Sequence, residues 1–270
     1  MKIIHFEKKP LAELPFLNAG KKPGQVKVDK LPVFEAKVDH LPNGITAIVA
    51  TSDLQGRALQ FNDLEAEPPL LGEIVPFWLR EEVLPFFDCI DLSRIAALLA
   101  GDFFTVSNAD KRGGTGDVSK VWKAFGDCFS WVAGVAGNHD LFGADQLAWI
   151  KSQKNLYLLD GDLEEIAGIR FGGLGGIIGN SSKPQRREEV VYLNTLAKIL
   201  SRNLDILIMH EGPDGNGPEQ PGNRKICEAM NRSWPDLVIR GHQHWDQPFA
   251  QLPCGTQVLN VDMRVVILTI

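Results

Sequence analysis

The chain has 270 residues, of which 44% are hydrophobic and 23% are charged, a composition typical of a globular protein with a substantial core. The formal net charge is −6 and the longest basic cluster, at residues 183–187, is short, so we expect no strong nucleic-acid surface. No stretch approaches the ~20 apolar residues that cross a bilayer, and the first residues lack a secretory pattern. We therefore expect a cytoplasmic protein without a membrane segment.

The cysteines indicate a reducing compartment. Cys89, Cys128, Cys227 and Cys254 form no C-x-x-C pair, and a chain of this length does not need disulfide bonds to fold. Cysteines beside apolar residues, as in Phe86-Phe87-Asp88-Cys89, are predicted to be small core residues. Zinc ligation by these thiols is the less favoured alternative.

The first part of the chain has little periodicity. Residues 1–44 are rich in lysine and are interrupted by five prolines, which argue against a long helix. We predict an N-terminal extension of irregular structure and short strands that packs on a domain formed by residues 45–270.

The rest of the chain alternates apolar runs with helical spacing, which predicts α/β organisation. Strands are predicted at residues 45–50, 95–100, 131–136, 156–159, 166–171, 204–209, 237–240, 258–261 and 265–270. Helices are predicted at residues 68–87, 118–125, 146–153 and 188–201. The glycine-dense segment 172–179 does not match a G-x-G-x-x-G opening a helix, so we interpret it as a loop beside the site rather than a dinucleotide fingerprint.

Five of the predicted strands end in short polar motifs. These are Thr51-Ser52-Asp53, Gly101-Asp102, Gly137-Asn138-His139-Asp140, His210-Glu211 and Gly241-His242-Gln243-His244. They contain four of the six histidines in the chain. Because ligands of α/β sheets bind at the carboxyl ends of the strands, these motifs are predicted to meet in one crevice.

The residue types in these motifs indicate a metal site. Carboxylates, imidazoles and an amide oxygen suit divalent Mn, Fe, Zn or Ni, and cysteine is absent from the motifs. Two such metal ions roughly 3.5–4 Å apart can hold a phosphoryl group between them and activate a water molecule.

The order of the motifs resembles that of the calcineurin-like metallophosphoesterases, whose pattern is D-x-H, G-D-x-x-D, G-N-H-[D/E], H and G-H-x-H. The resemblance covers roughly residues 45–265, and its most specific parts are Gly137-Asn138-His139-Asp140 and Gly241-His242-Gln243-His244. It implies an α/β (α+β) fold in which two mixed β-sheets pack as a sandwich flanked by helices, in four layers.

The resemblance also implies a dinuclear site and its ligands. The first metal site would consist of Asp53, Gln55, Asp102 and His244, and the second of Asp102, Asn138, His210 and His242, with Asp102 bridging. His139 would act as the general acid or steady the phosphoryl oxygens. Arg57 and Asn138 are the candidate substrate contacts.

Two positions depart from the family pattern. Gln55 stands where the family has a histidine, and its amide oxygen is a harder, neutral ligand, so the first metal site is predicted to bind more weakly. Thr105 stands where some members have a second aspartate, which in protein phosphatases orients the catalytic histidine.

The function that the resemblance implies is hydrolysis of a phosphate monoester or diester by a metal-bridging hydroxide. The small phosphorylated substrate, the metal identity and the oligomeric state stay open. The alternative is a non-catalytic scaffold or binding module with the same fold. A zinc-dependent amide hydrolase is less favoured because its H-x-H-x-D-H and H-E-x-x-H motifs are missing.

Overall fold

The computed structural model describes residues 1–59, 67–111, 113–230 and 233–270. The strands of its first half are β1 (Ile3–Phe6), β2 (Ala12–Ala19), β3 (Val26–Val38), β4 (Ala47–Ser52), β5 (Arg57–Ala58), β6 (Ile95–Leu99), β7 (Gly116–Asp117), β8 (Trp131–Gly134) and β9 (Asp140–Leu141). The strands of its second half are β10 (Leu156–Leu158), β11 (Asp162–Ile166), β12 (Ile169–Leu174), β13 (Ile177–Ile178), β14 (Arg186–Arg187), β15 (Ile206–Met209), β16 (Leu237–Arg240), β17 (Phe249–Gln251), β18 (Gln257–Asn260) and β19 (Arg264–Thr269).

In chain order, each helix lies between two of these strands. They are α1 (Leu71–Trp78), α2 (Ser119–Cys128), α3 (Ala144–Ser152), α4 (Glu189–Leu200) and α5 (Arg224–Met230). After α1 the chain continues through a π-helical turn at Leu79–Val83 and a 3-10 turn at Leu84–Phe86. None of the helices in the described residues is both long and apolar enough to span a bilayer.

Two mixed sheets contain most of these strands. The larger has the order β10-β8-β6-β4-β19-β3-β2-β5, with β1 paired to β3, and its strands β10, β8, β6 and β4 are parallel. The smaller has the order β11-β12-β15-β16-β18-β17, with β12, β15, β16 and β18 parallel. The short pairs β7-β9 and β13-β14 lie outside both sheets.

The alternation of side chains along the central strands divides the interior into three cores. Ile48 of β4 and Ile208 of β15 point into a core between the two sheets. Val49 of β4 points to the opposite side, where it packs with α1 and α2, and Leu207 of β15 packs with α4 and α5. Strands buried on both faces explain the continuous apolar runs in the sequence. The predicted four-layer arrangement of helix, sheet, sheet and helix is confirmed.

The N-terminal segment differs from its prediction of irregular structure and short strands. It contains the 13-residue strand β3, which pairs in parallel with β19 and antiparallel with β2 inside the larger sheet. Leu31 and Val33 of β3 are fully buried. The boundary placed at residue 44 stays a prediction, although the strands before it are hydrogen-bonded into the sheet.

Three smaller expectations were wrong. Residues 166–171 do not form one strand, because Ala167 and Gly168 adopt positive φ angles and turn the chain between β11 and β12. The glycine-dense segment 172–179 is not a continuous loop, since it completes β12 and forms β13. Cys89 is exposed rather than a core residue, whereas Cys128 is buried; all four cysteines are free thiols.

Candidate metal centre

The five polar motifs meet where strands of both sheets end. β4, β6 and β8 of the larger sheet and β15 and β16 of the smaller sheet each run into one motif. Asp53, Asp102 and His242 have φ angles of 55°, 60° and 72°, which are uncommon for residues other than glycine. This backbone strain turns the three side chains toward a common point and is typical of a functional site.

The tightest cluster at this point consists of Asp102, His210 and His242. Their ligand atoms all lie within 4.8 Å of one another, and Asp102 and His210 are buried. Oδ1 of Asn138 lies 3.2 Å from Nε2 of His210. The structure thus brings together the residues predicted for the second metal site, and this donor set of carboxylate, amide oxygen and two imidazoles fits a divalent transition-metal ion.

His210 is oriented by the backbone of the neighbouring motif. Its Nδ1 donates to the carbonyl of Ala100 at 2.8 Å, so Nε2 faces Asp102, whose Oδ2 is 3.3 Å away. Burial lowers the pKa of His210, but the Asp102 carboxylate outweighs burial and the pKa is raised to about 10. The site therefore attracts positive charge at Nε2, and a metal ion that binds there displaces a proton.

His242 has the opposite electrostatic environment. Burial and then the positive charge of His210 lower the pKa of His242 to about 4. The two imidazole rings lie 5.0 Å apart between centroids. A neutral imidazole is the form that binds a metal ion, so His242 is ready to act as a ligand at neutral pH.

Asp53 lies among carboxylates and is fixed by its neighbours. Its Oδ2 accepts hydrogen bonds from Ser52 Oγ at 2.7 Å and from the His242 backbone at 2.9 Å. Burial and then the carboxylate of Asp262 raise the pKa of Asp53 well above its usual value. A cation beside Asp53 would relieve both effects.

His244, the histidine predicted for the first metal site, lies outside the tight cluster. Its side chain is 54% exposed, and its Nδ1 is 3.1 Å from Asp262 Oδ1. Nη2 of Arg264 lies 3.1 Å from Nε2 of the same ring. His244 therefore has a carboxylate that can orient it and a guanidinium that lies against its ring.

Gln55 lies beside Asp102. Its Nε2 donates to Oδ2 of Asp102 at 3.2 Å. A half-turn of the amide would exchange its nitrogen and oxygen, so either a hydrogen bond to Asp102 or an oxygen ligand fits the same side-chain position. Ligation by Gln55 stays a prediction.

His139, the predicted general acid, is held by a glycine-containing loop rather than by an aspartate. Its Nδ1 donates to the carbonyl of Gly114 at 2.6 Å, and its own carbonyl accepts a hydrogen bond from Gly116. A Cβ on Gly113 would lie 3.2 Å from Cε1 of the ring. Since the family's aspartate is replaced by Thr105, the Gly114 carbonyl orients His139 in its stead.

Arg57, a predicted substrate contact, has other partners. Its guanidinium is buried and donates to the carbonyls of Thr105, Pro68 and Val106, at 2.6, 2.8 and 3.3 Å. These bonds hold the loop after Asp102 against β5. The geometry therefore assigns Arg57 to this loop and gives the predicted phosphate contact no support.

Two important residues were missed by the sequence analysis. Asp140 is fully buried and accepts hydrogen bonds from the backbones of Asp102, Phe103 and Gly137, each at 2.8 Å. Its place at the end of Gly137-Asn138-His139-Asp140 was the available signal. Asp262 follows the end of β18 and could have been found by the same positional rule that found Asp53.

A cavity of about 550 Å³ opens beside these residues. Gln55, His242, His244 and Asp262 form one side of it, and Thr105 and Gly113 also contribute. Three of the candidate metal ligands, Gln55, His242 and His244, are thus accessible to a molecule of substrate size.

The comparison with protein families agrees with the fold and the arrangement of the motifs. The model of the calcineurin-like phosphoesterase family matches residues 46–246, which is well over half of the chain. The chain belongs to the calcineurin-like phosphoesterase family. A comparison with the curated proteins finds no match.

Several solved structures are similar to this chain at low sequence identity, and one of them has a TM-score above 0.5. The protein TT1561 of Thermus thermophilus is 16% identical, with a TM-score of 0.52 over 81% of this chain and 90% of that one. A hypothetical protein from the same organism is 14% identical over 79% and 75% of the two chains, with a TM-score of 0.46. A purple acid phosphatase from yellow lupin (Lupinus luteus) seeds is 12% identical over 90% of this chain and 47% of that one, with a TM-score of 0.39.

Proposed function

We propose that the chain is a dinuclear metal-dependent hydrolase of phosphate monoesters or diesters. The observation that carries this proposal is the cluster of Asp102, His210 and His242, whose ligand atoms lie within 4.8 Å of one another beside an open cavity. Membership of a phosphoesterase family makes a small phosphorylated molecule the natural substrate. Four free thiols suit a reducing cytoplasm as the place of action.

The residues that would hold the metal ions form two groups. Asp102, Asn138, His210 and His242 would bind one ion, and Asp53, Asp102, His244 and Gln55 the other. When bound, the two ions supply Lewis acidity toward the phosphoryl oxygens and lower the pKa of water. Asp102 is buried, and as a member of both groups it would neutralise charge on both ions.

His139 would move the proton that the leaving group needs. Its Nδ1 is committed to the Gly114 carbonyl, and its partly exposed ring leaves Nε2, 3.9 Å from Asp102 Oδ2, for the reaction. Protonation of the leaving oxygen by Nε2 would favour cleavage of the oxygen–phosphorus bond. Asn138, beside His210, would contact the phosphoryl group as well as the metal ion.

The surroundings of His244 favour one alternative function, that of a non-catalytic scaffold or binding module. Arg264 lies against its ring and Gln55 replaces a histidine, so the first metal site has weaker ligands than the second. A protein that fills only the second site could act as a non-catalytic scaffold or binding module. The ordered His139 argues against this alternative, because a scaffold does not need an oriented acid.

An activity panel tests the proposal. Purified protein is stripped with a chelator and assayed on aryl phosphate monoesters and diesters after addition of Mn, Fe, Zn, Ni or Mg. We expect no turnover after chelation and recovery with a transition metal, most readily Mn. Full turnover by protein shown to be metal-free would contradict metal dependence. Metal-loaded protein that hydrolyses none of the esters would favour the scaffold.

A further inference from the structure

The N-terminal hairpin, formed by β2 and β3, is attached to the candidate metal centre although it lies outside the stretch that matches the family. β2 pairs with β5, which begins two residues after Gln55. The ring of Phe16 approaches Gly56 so closely that a Cβ at that glycine would collide with Cδ2 of the ring. The hairpin is therefore fixed against the loop that carries Asp53 and Gln55.

This hairpin forms one wall of the cavity at the site. It contributes Asn18, Asp29, Lys30 and Pro32, which share the cavity with Gln55, His242 and His244. A volume of about 550 Å³ exceeds the space that a phosphoryl group alone occupies. A group attached to a phosphate at the metal ligands can therefore extend along the hairpin.

The polar groups of this wall are held in place by one another. Asp29 Oδ2 accepts a hydrogen bond from Asn18 Nδ2 at 3.1 Å and pairs with Lys27 Nζ at 2.6 Å. Lys30 Nζ pairs with Glu13 at 2.6 Å, and an ammonium has three N–H donors, so Lys30 can still donate to a ligand. The wall thus offers both donors and acceptors to a ligand.

The remaining lining residues disfavour a flat aromatic ligand. Among the described residues that line the cavity none is Phe, Tyr or Trp, and Pro32 and Met263 are the large apolar ones. Aromatic groups are bound mainly by stacking and apolar contact, which this wall does not provide. Hydroxyl groups both donate and accept, so they match a wall that carries a carboxylate, an amide and an ammonium.

We propose that the N-terminal hairpin is a subsite for the leaving group, and that Asn18, Asp29 and Lys30 bind a hydroxyl-bearing group of the sugar or polyol class. This inference rests on the proposed phosphoesterase function, since it names the part of the substrate that departs with the ester oxygen. It also assigns a role in specificity to residues that precede the matched domain.

A matched pair of esters tests the subsite in the metal-loaded, full-length protein. A hexose phosphate and cyclohexylmethyl phosphate carry rings of the same size, and only the first has hydroxyl groups. We expect a higher kcat/KM for the hexose phosphate. Asp29→Ala and Lys30→Met should each reduce the ratio of the two kcat/KM values by roughly tenfold to a hundredfold, as loss of a charged hydrogen bond does.

The control is Val28→Thr, which changes an exposed residue of the same hairpin outside the cavity lining and should leave the ratio unchanged. Equal kcat/KM values for the two esters, or a ratio that survives both cavity substitutions in proteins with wild-type Tm, would overturn the subsite. If neither ester is hydrolysed, that result counts against the proposed phosphoesterase function and not against the subsite. Calorimetry with the hexose phosphate then decides the subsite, which is wrong if wild type and Lys30→Met bind it equally.

Discussion

At the scale of single residues, the proposed role of His139 as the general acid makes the sharpest prediction. It is held by the Gly114 carbonyl, and it is the one motif histidine not assigned to a metal ion. We expect His139→Ala to lower kcat by roughly 10²–10⁴-fold, the usual contribution of a general acid, while metal content stays the same. Steady-state kinetics and elemental analysis of the same samples check this.

The control for this substitution is His40→Ala, which removes an exposed histidine paired with Asp39 and should leave both kcat and metal content unchanged. If the His139 variant instead loses metal in proportion to its activity, His139 is a ligand and its assignment as the acid is wrong.

Gln55 is the residue at which this chain departs most informatively from its relatives. An imidazole nitrogen is a better donor to Mn, Fe or Zn than an amide oxygen. We expect Gln55→His to raise affinity at the first metal site by roughly 10–100-fold, a range known for changes near a metal ion. Calorimetric titration of both proteins measures it. Equal affinities would mean that Gln55 serves only as the hydrogen-bond partner of Asp102.

The sequence predicted which residues gather at the site better than it predicted their roles. Asp102, His210 and His242 could be found because polar residues follow apolar strands, and strand ends converge in this fold. The roles of Arg264 at His244 and of Gly114 at His139 could not be found. They depend on side-chain and backbone contacts between segments distant in sequence, which periodicity does not encode.

At the scale of elements, Asp140 joins the loops that follow β6 and β8. Its carboxylate accepts from three backbone N–H groups, and its removal would leave these buried donors without a partner. We expect Asp140→Ala to lower the free energy of unfolding by about 3 kcal/mol or more, since each orphaned donor costs roughly 1–3 kcal/mol. Urea unfolding of metal-free protein measures this loss.

Asp145→Ala is the matched control, because Asp145 is exposed in the first turn of α3. It should change the free energy of unfolding by no more than ~0.5 kcal/mol. If the two variants have the same stability, Asp140 does not hold the loops together.

A substitution in strand β3 tests whether the N-terminal segment contributes to the stability of the larger sheet. Leu31 is fully buried in the core beneath α1 and α2, whereas Leu11 is 49% exposed. We expect Leu31→Ala to cost about 2–5 kcal/mol of unfolding free energy and Leu11→Ala much less. Comparable small losses in urea unfolding would show that the segment only packs on a domain that is stable without it.

Whether a strand could be predicted depended on the strength of its hydrophobic pattern. The strands predicted at 95–100 and 237–240 correspond to β6 and β16. They could be predicted because strands buried on both faces are continuously hydrophobic. β3 was missed because Pro32 interrupts its sequence, VKVDKLPVFEAKV, although the alternation of charged and apolar residues is typical of a half-buried strand. Its pairing with β19 joins residues more than 200 positions apart, which no local pattern reveals.

At the scale of the whole molecule, the two sheets bring the carboxylate of Asp102 next to two histidines. Asp102 follows β6 of the larger sheet, and His210 and His242 follow β15 and β16 of the smaller one. Asp102→Ala would remove a ligand from both metal sites, whereas Asp53→Ala would remove a ligand from the first site alone. If the site is dinuclear, Asp102→Ala should therefore weaken metal binding more than Asp53→Ala does.

Metal stoichiometry is the most direct measurement of this claim. Wild type, Asp102→Ala, Asp53→Ala and the exposed control Asp88→Ala are stripped, titrated with Mn by calorimetry and assayed on an aryl phosphate. The expected result is about two ions per chain in wild type and the control, about one in the Asp53 variant, and none bound tightly in the Asp102 variant, with turnover following full occupancy. An Asp102 variant that still binds two ions and turns over substrate would contradict the bridged dinuclear site.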